Sequence, residues 1–94
     1  MQTLKLKDAT VTSVAASASN VTLLSINIKR EAASIFNDST NNLYLKFGQT
    51  ASTNSYTIKM EAGSFYELST PCYCGVIDGI WDGTNGAARV TEMS

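Results

Sequence analysis

Leu43-Tyr44-Leu45-Lys46-Phe47-Gly48 decides the fold class. Leu43, Leu45 and Phe47 alternate with Tyr44 and Lys46, and a period of two puts the three apolar side chains on one face of a strand. Gly48 ends the segment. On its N-terminal side stands Asn37-Asp38-Ser39-Thr40-Asn41-Asn42, a run of turn-forming residues, preceded by a shorter β-rich segment, Ala33-Ser34-Ile35-Phe36. The unit is strand, turn, strand, with no room for a helix of ten residues.

Working towards the N-terminus, Lys29-Arg30-Glu31-Ala32-Ala33 has good helix propensity but is too short to stand as a helix, and reads as a turn. Val21 to Ile28 is rich in β-formers. Val11 to Ala15 alternates more weakly, and the small residues Ala16 to Asn20 join the two segments, a pattern that predicts a hairpin. Leu4 and Leu6 alternate with Thr3, Lys5 and Lys7, so this segment reads as a short strand or an extended arm.

Towards the C-terminus the same rhythm continues. Gln49 to Ser55 is a polar loop, Tyr56 to Met60 a strand, and Glu61-Ala62-Gly63-Ser64 a tight turn. Phe65 to Leu68 is a strand, followed by the Pro71–Cys74 loop. Gly75 to Trp81 is a strand interrupted at Gly79, the setting of a bulge or of close backbone approach. Asp82 to Gly86 turns the chain and Ala87 to Met93 closes it. Seven or eight short strands with a turn signal every eight to twelve residues predict an all-β domain spanning residues 1–94, a small antiparallel β-sandwich or barrel.

Only 16% of the 94 residues are charged, and the net charge is −1. The seven basic residues are scattered, with Lys29-Arg30 the only adjacent pair, so there is no basic stripe of the kind that neutralises phosphates, and direct nucleic-acid binding is not expected. No run approaches the ~20 apolar residues of a membrane-spanning helix. Met1 to Lys5 lacks the pattern of a secretory leader, which points to synthesis in the cytoplasm. On that route the sequons Asn20-Val21-Thr22 and Asn37-Asp38-Ser39 read as turn residues. A chain of this length buries only roughly 60–65% of the surface its unfolded form exposes, and such thin cores usually lean on a disulfide, a metal or neighbouring subunits.

The first two supports find little in the sequence. Cys72 and Cys74, one residue apart, point the same way along a strand and are badly placed to bond each other. Histidine is absent, which removes the commonest metal ligand and the commonest general base. The serines have no evident base beside them. Asp78 and Asp82, on one extended strand, would stand roughly 13 Å apart, beyond the ~5–9.5 Å that separates paired glycosidase carboxylates. Each precedes a glycine, as a turn or bulge residue does. No glycine-rich phosphate loop is present. Trp81, Tyr44, Tyr56, Tyr66 and Tyr73 could make a sugar-stacking platform or simply fill core and edge positions. The expectation is a non-enzymatic protein with no cofactor and no metal.

Taken in order, the segments Thr10–Ala15, Val21–Leu24, Ser34-Ile35-Phe36-Asn37-Asp38-Ser39, Leu43–Gly48, Ala62-Gly63-Ser64-Phe65-Tyr66-Glu67-Leu68, Gly79-Ile80-Trp81 and Ala88-Arg89-Val90-Thr91-Glu92 resemble small virion proteins of tailed bacteriophages. The resemblance runs from Thr10 to Met93. It departs at Pro71-Cys72-Tyr73-Cys74, where an aromatic and glycine turn without cysteines would be in keeping. The resemblance implies a β-sandwich accessory module: a capsid decoration (cement) protein on the outside of the phage head, or else a head–tail connector or tail accessory protein. Implied partners are the major capsid protein and copies of the chain itself, as a homotrimer, with Leu4 and Leu6 in a subunit-contact arm; the implied location is the virion surface. A reading of another class is a carbohydrate-binding adhesion module of a tail fibre.

Overall fold

The computed structural model describes residues 5–94. It contains eight strands: β1 (Ala9–Ala15), β2 (Val21–Leu24), β3 (Ala32–Ser39), β4 (Leu43–Phe47), β5 (Ile58–Met60), β6 (Phe65–Glu67), β7 (Ile77–Trp81) and β8 (Gly86–Met93). They form two four-stranded antiparallel sheets, ordered β1-β8-β3-β6 and β2-β7-β4-β5. The all-β expectation is met, and the inner faces of the two sheets meet in one core, as in a sandwich. Ile35, Ala88 and Val90 come from the β1 sheet, and Leu23, Leu43, Leu45, Ile77 and Trp81 from the β2 sheet.

The pairing has a simple logic. β4 pairs with β5, β3 with β6, β2 with β7 and β1 with β8. The chain is thus one long antiparallel ribbon, folded back at the β4–β5 loop and rolled so that successive pairs fall alternately into the two sheets. β3–β8 and β4–β7 pairing then completes each sheet. This is the double-sheet jelly roll.

The rolled ribbon corrects three local expectations. β1 and β2 are not a hairpin: the chain crosses from one sheet to the other between them. The amide of Ala16 still donates to the carbonyl of Gly86, the first residue of β8, whereas the carbonyl of Ser17 already accepts from Trp81 on β7. Hydrophobic alternation fixes which face of a strand is buried and carries no information on which strand lies alongside. Secondly, β3 continues through Asn37, Asp38 and Ser39, which pair with Ala88, Ala87 and Gly86. Thirdly, strand structure ends at Leu24, so Ser25 to Ile28 is loop.

Two glycines are required by packing. A Cβ on Gly79 would lie 3.0 Å from the methyl carbons of Leu23 and Leu43, so β7 passes unbroken between them by close approach. The bulge of this region lies on the facing strand, where Thr22 pairs with Asp78 and Leu24 with Ile77. Gly86 has φ +90°, and a Cβ there would meet the Asp38 carbonyl at 2.5 Å.

Candidate functional site

Near each end of β3 stands a buried polar residue that organises the loops around it, Asn37 within the strand and Arg30 just before it. Asn37 is fully buried. Its amide nitrogen donates to the carbonyls of Asn41 (2.8 Å), Met60 (3.0 Å) and Glu61 (3.1 Å), and its oxygen accepts from Ser39 Oγ (2.7 Å) and the Trp81 indole (3.1 Å). Nearby, Asp82 accepts from the backbone and side-chain nitrogens of Asn42, and Asn85 accepts from Thr40 and Asn41. At this end polar groups close on one another. The Asn37 sequon is out of a glycosyl group's reach.

At the other end Arg30 is buried, its side chain wholly covered. Nε donates to Glu92 Oε2 at 2.7 Å, Nη1 to the carbonyls of Tyr73 (2.7 Å) and Gly75 (3.1 Å), and Nη2 to the carbonyl of Ser25 (2.7 Å). The guanidinium fork suits this arrangement because its donors leave in fixed planar directions. It ties the β2–β3 loop, the β6–β7 loop and β8 together. Lys29 N donates to Asn27 Oδ1 and Arg30 N to the Asn27 carbonyl, while Asn27 N reaches Cys74 O, so the β2–β3 loop is held as a tight turn. Turning Arg30 inwards leaves Ile26 and Ile28 outside, 71% and 85% exposed.

Leu6 joins them at this end. The amides of Lys7 and Asp8 donate to the Ser94 carbonyl, and Glu31 N donates to Met93 O, so the segment before β1 and the segment before β3 flank the end of β8 on its two sides. The end of β8 separates the two segments, so Leu6 and the β2–β3 loop that carries Ile26 and Ile28 lie towards the same end of the β1 sheet. Leu6 is 43% exposed, and its chain neighbours Lys5, Lys7 and Asp8 are exposed, as are Lys29 and Glu31. Leu4, the other residue of the expected contact arm, lies outside the described residues.

Both cysteines are free thiols, half-buried beside Arg30. Cys74 Sγ donates weakly to the carbonyls of Arg30 and Cys72, and Cys72 Sγ to that of Tyr73. Burial, and secondarily the neighbouring Cys74, push the Cys72 thiol above its ordinary range. Among the described residues no three His, Cys, Asp or Glu side chains gather as a metal site would require.

The carboxylates singled out in the sequence are both engaged. Asp78 is buried in mid-strand, where its oxygens accept from Thr22 Oγ1 (3.0 Å), Asn20 Nδ2 (3.0 Å) and Thr50 N (2.8 Å); with Asn20 Oδ1 accepting from Ala51 N, it fastens the β4–β5 loop over the β2 sheet. Asp82 holds Asn42 at the far end of β7.

The aromatics do not form one platform. Trp81 is in the core. Phe47 stacks on Tyr73 at 5.0 Å and leans on Tyr66, filling the Arg30 end. Tyr44 and Tyr56 make a separate edge-to-face pair at 5.0 Å, with Lys59 Nζ 5.9 Å from the Tyr44 ring. A shallow open groove of about 340 Å³ runs between the β5 and β6 edges, over Ile58 and beside Phe65.

Arg30 and Asn37 escape sequence reading because arginine and asparagine are usually solvated, and nothing in their spacing marks them as buried. The one trace is that Arg30 follows a lysine, in the chain's only basic pair. No family model matches the chain, and neither a curated protein nor a solved structure matches it.

Proposed function

We propose that the chain is a non-enzymatic virion structural protein, a capsid decoration (cement) protein that binds the outside of a phage head and stabilises it. The observation that carries this reading is the apolar loop at the Arg30 end: Ile26 and Ile28 are exposed on a loop tied down by a buried arginine. Exposed aliphatic side chains on a preorganised loop lose little freedom on docking, so their burial by a partner goes largely into affinity. The ordered motifs from Thr10 to Met93 supply the phage context, and the jelly roll supports it by analogy, since that architecture serves in viral capsid and lectin domains.

The test is binding of the purified protein to expanded empty phage heads, with and without the double substitution Ile26→Asp/Ile28→Asp. Saturable attachment that the double variant loses is the expected result. A protein that ignores heads but decorates purified tails would be the connector or tail component instead. The Tyr44–Tyr56 pair, with Tyr56 43% exposed and Lys59 over the Tyr44 ring, favours one reading of another class, a tail-fibre module that stacks sugars. Retention on a glycan array, abolished by Tyr56→Ala and with no binding to heads, would replace the cement reading with that one.

A further inference from the structure

The four outer edges of the two sheets are not alike. β5 has three residues and carries Lys59; β6 has three and carries Glu67; β2 has four and a bulge. Short length, charge and bulging are the usual protections against unwanted strand pairing. β1 has none of them. Its seven residues, Ala9-Thr10-Val11-Thr12-Ser13-Val14-Ala15, contain no charge, proline or glycine, and they pair with β8 without a register break from Ala9↔Met93 to Ala15↔Ala87. Six of the seven are exposed, and among the described residues no strand lies on the other side.

The direction of its free groups follows from the ladder. Asp8 and Ser94 exchange both backbone hydrogen bonds, and Ala16 N donates to Gly86 O. In an antiparallel pair such exchange recurs at every second residue. Thr10, Thr12 and Val14 therefore turn their backbone groups towards β8, while Ala9, Val11, Ser13 and Ala15 turn theirs outwards.

We infer that β1 is a self-pairing edge, and that its occupant is β1 of a second copy, running antiparallel across a two-fold axis at Thr12. In this register Ala9 faces Ala15 and Val11 faces Ser13 of the partner copy, and each such pair exchanges two hydrogen bonds. All four outward amides and all four outward carbonyls of each copy are satisfied. Shifting the register by two residues in either direction leaves some of them unused; one such shift calls on Lys7, whose amide already donates to Ser94. Asp8 falls opposite Ala16, so no ionised side chain opposes another. Two β1 sheets then join into one continuous eight-stranded sheet, with the same patch used on both copies. The pairing is independent of the capsid reading, and its two-fold symmetry differs from the homotrimer implied by the resemblance.

Three measurements test it. Light scattering on the eluting protein should give twice the monomer mass, and Val11→Pro should return it to the monomer with an unchanged circular dichroism spectrum, because the Val11 amide points away from β8 and proline removes no internal hydrogen bond. Amide exchange should show Ala9, Val11, Ser13 and Ala15 protected in a concentration-dependent way, with Thr10, Thr12 and Val14 protected at every concentration. Should Val11→Pro fail to fold, Thr12→Cys in a Cys72→Ser/Cys74→Ser background still reads the register. The two Thr12 residues form a non-hydrogen-bonded pair with Cα atoms about 4.5 Å apart, inside the disulfide range. Diamide should therefore link that variant into a dimer and leave a Thr10→Cys control unlinked. A monomer at all concentrations, a trimer, a dimer that survives Val11→Pro, or a Thr12→Cys protein that does not cross-link would overturn the inference. So would protection of the odd-numbered amides that appears only when a different protein is added.

Discussion

The two ends of the sandwich are each pinned by one buried polar residue of the β3 region, yet they are finished differently. At the Asn37 end a neutral amide meets backbone carbonyls, a hydroxyl and an indole, and the surrounding asparagines and Asp82 bond among themselves. At the Arg30 end a full charge is spread over one carboxylate and three carbonyls, and the loop it anchors displays Ile26 and Ile28 to solvent. The first end completes a fold. The second holds apolar side chains where a partner can meet them, and the buried charge gives the loop its stiffness. Equal burial of a polar group therefore says little about role until its surroundings are read.

Asn37→Leu should have the largest effect. It strands the buried Trp81 indole, at about 1–3 kcal/mol, and takes a donor from the carbonyls of Met60, Asn41 and Glu61, of which the last two keep Ser39 and Ser64, and should lower stability by roughly 4 kcal/mol in urea unfolding. Arg30→Met should cost about 3 kcal/mol, because Glu92 retains some solvent and is less penalised when left alone. If Arg30→Met proves the more damaging, the Arg30 end is the structural keystone and the contrast between the ends fails. Arg30→Lys should recover little, since a single ammonium cannot reproduce the fork.

Ile26→Asp/Ile28→Asp sharpens the contrast from the other side. Both side chains are already exposed, so stability should move by less than about 0.5 kcal/mol while attachment to heads is lost. A loss of stability comparable to Arg30→Met would mean these isoleucines belong to the core.

The smallest effect concerns Cys72. Folding disfavours its thiolate, so its contribution is fully present below the unfolded thiol's ordinary value of 9.0 and is lost as pH rises from there towards the higher folded value. Native protein should react several-fold more slowly with iodoacetamide at Cys72 than urea-unfolded protein does. Cys72→Ser should flatten the alkaline limb of the stability profile.

The alternation in Leu43–Phe47 made that strand legible because a half-buried strand writes its two faces directly into the sequence. Val21–Ile28 continued the β-rich composition past the strand's end, so Ser25 to Ile28 read as part of a strand; the inward turn of Arg30 leaves Ile26 and Ile28 outside. Asn37-Asp38-Ser39 read as a turn because their intrinsic preferences are those of turns. Pairing with β8 and five side-chain hydrogen bonds to Asn37 override that preference. The candidate site was least legible, since Arg30 acts on loops more than 40 residues away.

By itself the sequence determined the strand class, a count of seven or eight strands and the apolar face of β4, because these depend on alternation and turn residues within a few positions. Only the tertiary structure decided that β1 pairs with β8 and not with β2, that Arg30 and Asn37 are interior residues, and that, among the described residues, β1 is left with an open edge. The reason is common to all three. Each is settled by which distant segment satisfies a backbone or side-chain polar group, and partners so far apart in the chain leave no local signal.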